Sequence, residues 1–232
     1  MCKFSHFNFY SRHQSGFFKN IHYFCPKFLI STMTNLKLFV LATITLMASF
    51  SAIGEVLPAP QVTGGKPLMQ VMSGRRSSRD YQENQTVSKQ DLSNMLWAAW
   101  GITHEGKHTV ATAMNRQELV LYVVTPTEVS RYNPDANTLT VVNTGDFRKY
   151  VTMQDFAAIA PINIVMVVDT NKQDKPEFQG YTVGAASQNI YLYCAQAGLK
   201  TVVRAGFDRD NLPQILKLSA NERIMLVQTV GK

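Results

Sequence analysis

The residues best suited to chemistry crowd into Gly74-Arg75-Arg76-Ser77-Ser78-Arg79-Asp80-Tyr81, where three guanidiniums and two hydroxyls occupy five consecutive positions. Arginine forks pair bidentately with phosphate oxygens, and serine hydroxyls add neutral donors. The set is sufficient to hold one phosphate monoester; taken alone it also reads as a solvated basic turn. Further along, Ala111-Thr112-Ala113-Met114-Asn115-Arg116-Gln117 places two amide side chains before an apolar run. Amides carry donors and acceptors together, which suits a heterocycle with carbonyl and imide groups; the same residues suit a polar loop that caps a strand. A third segment, Ala205-Gly206-Phe207-Asp208, reads as a strand-to-helix turn. Glycine there lets backbone N–H groups approach a ligand closely, or simply serves a turn that ends in an aspartate cap. A fourth, Gly184-Ala185-Ala186-Ser187-Gln188-Asn189, has small residues that permit close helix packing or an ordinary core helix.

Other reactive residues carry less. His104 and His108 are four apart, but Gly106 between them argues against a helical pair, so a solvated loop is expected and no metal site. Cys194 lies on an apolar helix and reads as core. Trp97 and Trp100 read as core or subunit contacts, and Tyr191 and Tyr193 as core packing near the site.

The elements that must position these segments follow from periodicity. Thr86 or Ser88 caps a helix through about Gly101, with Leu92, Met95, Leu96, Ala99 and Trp100 as its apolar stripe. Residues 118–124 read as a strand, and 129–132 with 138–142 as a hairpin across Asn133-Pro134-Asp135-Ala136-Asn137. A short helix ends near Ala160, and residues 162–168 have the nearly continuous apolar character of a buried strand. Residues 171–180 read as a polar loop, 181–197 as a helix stopped by Gly198, 200–204 as a strand, 209–216 as a helix capped by Asp208, and 223–230 as the last strand. Strands and helices interspersed with a hairpin indicate an α+β fold.

Charge is unevenly placed. Of 23 Lys and Arg, five fall in residues 1–54 beside no acidic residue, leaving 18 against 16 Asp and Glu, a net +2, in residues 55–232. The basic balance therefore belongs to the leader and does not support a nucleic-acid-binding domain. Residues 33–54 read as a signal peptide: Lys37, an apolar stretch from Leu38 to Met47, then small residues, with cleavage after Gly54 or Ser51. The apolar stretch is short for a membrane span, so a periplasmic or secreted protein without a stable membrane anchor is expected. Residues 1–32 precede a signal that is complete from Met33, and read as non-native upstream extension. Residues 55–70, with three prolines, read as a linker or arm, and 71–232 as the domain.

Taken in order, the segments Arg75 to Tyr81, Leu96 to Gly101, Ala111 to Gln117, Gly184 to Leu192 and Gly198 to Asp208 resemble the nitroreductase-like flavoprotein superfamily, in the branch that includes peptide-azoline oxidases. The resemblance implies a nitroreductase-like α+β fold with a mixed central sheet flanked by helices. It implies an FMN-dependent oxidoreductase that moves a hydride between a reduced donor and an acceptor, a small molecule or peptide, and a homodimer with flavin at the subunit interface. By position, Arg75, Ser77 and Arg79 would hold the FMN phosphate with Arg76 assisting, Asn115 would face the polar edge of the ring system with Gln117 nearby, and the backbone at Ala205 and Gly206 would point an N–H at flavin N5. The sequence departs from the family pattern at Ala111-Thr112, at Glu118-Leu119, and at Val203-Arg204-Ala205, where Arg204 adds a charge near the presumed flavin. A non-catalytic module that binds flavin or another phosphorylated ligand on the same fold is the alternative reading.

Overall fold

Alternation along the strands builds one sheet with two different faces. The computed structural model describes residues 54–232; the expected upstream extension and, except for Gly54, the expected leader lie outside the described residues. Strands β1 (Glu55–Val56), β2 (Leu119–Val124), β3 (Glu128–Asn133), β4 (Thr138–Thr144), β5 (Ile162–Asp169), β6 (Lys200–Arg204) and β7 (Glu222–Gly231) lie in the order β1-β4-β3-β2-β5-β7-β6. Every neighbouring pair is antiparallel. β5 and β6 point the same way but are not neighbours, because β7 lies between them antiparallel to both. β5 is buried from Ile162 to Val168, as its sequence requires of a strand covered on both faces.

Leu119, Leu121 and Val123 pack with Ile162, Ile164, Met166 and Val168 on one face, beneath two helices. These are α2 (Lys89–Trp100) and α4 (Pro176–Ala197). Tyr122, Val124, Val165, Val167 and Val227 point to the other face, which short pieces cover through Val151, Phe207, Leu212 and Leu216. Those pieces include α3 (Phe156–Ile159) and α5 (Leu212–Ile215).

Helix ends follow local chemistry. Ser88 accepts the Asp91 N–H at 3.0 Å, and Asp91 places an acidic group in the first turn of α2. α4 begins at Pro176, five residues before the helix expected at Tyr181. Proline at the first turn forgoes a hydrogen bond that position never makes. The polar residues that made 171–180 read as loop find partners instead: Gln179 Nε2 donates to the Gln173 carbonyl at 2.6 Å within the segment, and Gln179 Oε1 accepts from Arg223 on β7. Gly198 ends α4 in the left-handed conformation, φ 70°. Within α4, Ala186 and Ser187 are buried as in an ordinary core helix, while a Cβ at the exposed Gly184 would meet nothing in the protomer. The helix expected at 209–216 contracts to α5, with Pro213 in its first turn.

Residues 55–61 form a docked arm. The Leu57 N–H donates to the Asn137 carbonyl at 3.0 Å, and the Gln61 N–H to Asn94 Oδ1 at 2.8 Å. Helix α1 (Leu68–Gly74) then leads into the arginine–serine segment. Among the described residues, no helix is long and apolar enough to cross a membrane.

Candidate functional site

The arginine–serine segment leaves α1 at Arg75 and runs beside edge strand β6. Its Ser78 N–H donates to the Thr201 carbonyl at 2.9 Å, and the Gln82 N–H to the Lys232 carbonyl at 2.9 Å. Tyr81 is buried and its hydroxyl lies 2.9 Å from the Ser78 carbonyl and 3.2 Å from that of Thr229. Burial drives that phenol far above its ordinary pKa, so it stays a neutral donor. Tyr191, on α4, ties the segment to the sheet: its hydroxyl accepts the Val203 N–H at 3.0 Å and lies 2.8 Å from Ser77 Oγ. The Arg75 guanidinium sits 5.1 Å over the Tyr191 ring. Asp80 is taken by Lys200 at 3.0 Å. Among the described residues Arg75, Arg76 and Arg79 have no carboxylate partner, so three cations stand free for an anion.

The turn after β6 comes to the same neighbourhood. The Arg79 and Arg204 guanidiniums lie 6.0 and 5.9 Å from the centroid of Phe156, whose ring stacks on Tyr81 at 6.0 Å. Arg204 donates to the carbonyls of Val151 at 2.6 Å and Gly206 at 3.2 Å. Ala205 and Gly206 are exposed, and the Gly206 N–H has no acceptor among the described residues. A Cβ at Gly206 would meet only Met153, at 3.8 Å, so the space over the turn is open. Asp208 closes the turn: its Oδ1 accepts the Asp210 N–H at 3.1 Å and the Asn211 N–H at 2.9 Å. These bonds, those from Asn211 first, hold its carboxyl below the usual range.

The amide loop stands apart from that cluster. Met114, Asn115 and Gln117 have φ of 55°, 54° and 52°. The left-handed region is costly for Met114 and Gln117, and asparagine tolerates it better. The loop holds itself in that shape: the Gln117 N–H donates to Thr112 Oγ1 at 3.0 Å, and Gln117 Nε2 to the Gly106 carbonyl at 3.2 Å and Asn115 Oδ1 at 3.3 Å. Lys172 Nζ donates to the Gln117 carbonyl at 3.1 Å. Gln117 therefore spends its amide on the loop, whereas Asn115 is exposed with its NH2 unused among the described residues. Both line a cavity of about 340 Å³ with His104, Lys107 and His108, whereas Arg76 and Ser78 line another of about 350 Å³ beside Tyr191 and Lys200. The protomer thus joins Arg75, Ser77, Arg79 and Gly206 and leaves Asn115 and Gln117 in a second cluster.

Residues 72–232 match the Nitroreductase family. The chain belongs to the nitroreductase family. A Methanocaldococcus jannaschii protein whose name places it among nitroreductases is 30% identical over 184 residues, 71% of this chain and 90% of that protein. A crystal structure from Ralstonia eutropha JMP134, titled a nitroreductase, is 33% identical, covers 79% of this chain and 90% of its own, and has a TM-score of 0.72. A Desulfovibrio desulfuricans structure in complex with FMN shares the fold at 19% identity and TM-score 0.55, over 72% of this chain and 87% of that one. The nitroreductase-like α+β fold that the resemblance implied is therefore the fold of this chain.

Three features of the site escape a linear reading. The Tyr191 hydroxyl is a tether rather than plain core, and a tyrosine's partner across 114 residues has no local signal. Arg204 is buried, and Asn163, the one polar residue deep inside β5, is its partner at 3.0 Å. His108 is no solvated residue: it lies flat on Trp100 at 3.8 Å, with Nδ1 2.9 Å from the Trp100 carbonyl. Its burial lowers its pKa. Cys194 is buried as expected, and desolvation raises its thiol to about 12, which leaves it unreactive. No group of three His, Cys, Asp or Glu is placed to hold a metal among the described residues.

Proposed function

We propose that this nitroreductase-family chain is an FMN-dependent oxidoreductase that transfers a hydride between a reduced donor and a small-molecule or peptide acceptor. One observation carries the reading: Arg79 shares the Phe156 ring with Arg204, whose fork holds the Gly206 carbonyl, while Arg75 and Ser77 meet at Tyr191 beside Val203, so unpaired cations and a hydroxyl flank a turn whose Gly206 N–H has no acceptor among the described residues. The residues fit a phosphorylated, electron-accepting group. Arg75, Arg79 and Ser77 bind a phosphate monoester through charge-assisted bonds, with Arg76 assisting. Asn115 offers a free amide donor to the polar edge of a heterocycle. The Gly206 N–H stabilises negative charge that develops beside it. Bound FMN would supply the acceptance and release of hydride; the protein supplies orientation and electrostatics. The openness over Gly206 favours turnover over a purely binding role, because an acceptor needs access to that face.

The working unit we propose is a homodimer. The exposed outer face of α4, with Tyr181 and the uncovered Gly184, suits a second copy. Export to the periplasm or beyond is supported by the leader at residues 33–54. The test is a visible absorption spectrum of the purified protein after incubation with FMN and desalting. Retained flavin that is weakened in Arg75→Ala or Arg79→Ala is expected. A folded, colourless protein would refute the FMN reading and favour the non-catalytic module.

A further inference from the structure

Among the described residues, Arg204 is a buried cation without an anion. Its side chain reaches only neutral groups: the Val151 and Gly206 carbonyls, Asn163 Oδ1 and Thr229 Oγ1. Among the described residues no Asp or Glu pairs with it, and its Nε is buried without a partner. Desolvation draws its pKa down to about 10, which still leaves it charged at neutral pH. Removing an ion from water is expensive, and proteins ordinarily balance such a group with a carboxylate. Among the described residues no carboxylate supplies that balance, and the backbone turns outward at this place. Gly206, two residues on, is exposed and has its carbonyl held by Arg204, while its own N–H has no acceptor among the described residues.

We infer that Arg204 is a positioning and charge-balancing residue of the redox site, which makes the site hold the reduced, anionic form of flavin more tightly than the oxidised form. This rests on the FMN reading above. A hydride from the donor brings two electrons and one proton, so oxidised flavin becomes a reduced flavin with one additional negative charge. Arg204 gives up no proton in that step. Its charge counters the new anion, and its fork on the Gly206 carbonyl keeps the turn in the orientation that presents the free N–H.

The experiment measures dissociation constants of the full chain for oxidised FMN and, without oxygen, for dithionite-reduced FMN. Wild-type protein should bind the reduced form more tightly. Arg204→Gln, which removes the charge but keeps a donor, should reduce that preference about tenfold, equivalent to a fall of about 30 mV in the two-electron potential. Arg204→Lys should weaken both forms by a similar factor and keep the preference. A glutamine variant that weakened both forms equally would overturn the inference and leave Arg204 a structural residue. Wild-type protein that held reduced FMN no tighter than oxidised would overturn it without any variant. Wild-type protein that bound neither form would overturn the FMN reading and this inference with it.

Discussion

The arginine–serine segment and the amide loop reach their shapes by opposite means. The segment is tied to distant parts of the chain: Ser77 to Tyr191 and Tyr81 to Thr229, separations of 114 and 148 residues. The loop is tied chiefly to itself, through Thr112, Asn115 and Gly106, and stores strain at three left-handed residues. A site assembled by tertiary contacts is as rigid as the sheet beneath it. A site assembled by local strain holds its geometry against its own backbone preference. The first is suited to binding charge firmly, the second to presenting one amide.

Breaking the anion-binding half should have the largest effect. The double variant Arg75→Ala, Arg79→Ala should weaken FMN binding about 100-fold or more, since each charge-assisted hydrogen bond contributes roughly 1.5–3 kcal/mol. Flavin fluorescence titration reads the loss, and only a small fall in melting temperature should accompany it, because each guanidinium's contact with the protein is a cation–π contact, with Tyr191 or Phe156. Tyr191→Phe sharpens the tertiary side of the contrast. It leaves the Val203 N–H and Ser77 without their shared partner and should cost about 1–2 kcal/mol in urea denaturation. A variant as stable as wild type would mean the segment is not held by that tether.

The strained loop should respond in the other direction. Met114 is exposed at φ 55°, so Met114→Gly should relieve strain and raise stability by roughly 0.5–1 kcal/mol in the same assay. A loss of stability would show that the loop is relaxed as it stands. The smallest effect concerns His108. Its folded-state pKa lies below 6.5, so the unfolded chain binds the proton more readily. Its contribution is therefore fully present above pH 6.5 and declines as pH falls through the interval down to its folded value. Thermal melts of His108→Gln should lose that part of the acid dependence; an unaltered pH profile would mean the Trp100 stack does not matter to titration.

Much of this was legible in the chain itself. Alternation and apolar runs located β2, β3, β4, β5, β6 and β7 within a residue or two, because strand faces repeat every second residue. Ser88 and Gly198 marked helix ends because their capping chemistry is local. The order of five segments, from Arg75–Tyr81 through Gly198–Asp208, was enough to point to the nitroreductase family. Where the reading slipped, as at Pro176–Gly180 or His108, polar residues had found partners beyond the helical or turn spacing that a local pattern registers: Gln179 meets Gln173 and Arg223, and His108 lies on Trp100.

The sequence alone determined which elements form and which residue types are available for an anion and a heterocycle, since both depend on neighbours a few positions away. Only the tertiary structure decided that Ser77 meets Tyr191, that Asn115 lies in a different cluster from Arg79, and that Arg204 is buried among neutral groups. Burial and the absence of a counter-charge are properties of the space around a side chain, and that space is filled by residues brought from β5, β7 and the Val151 turn when the sheet closes.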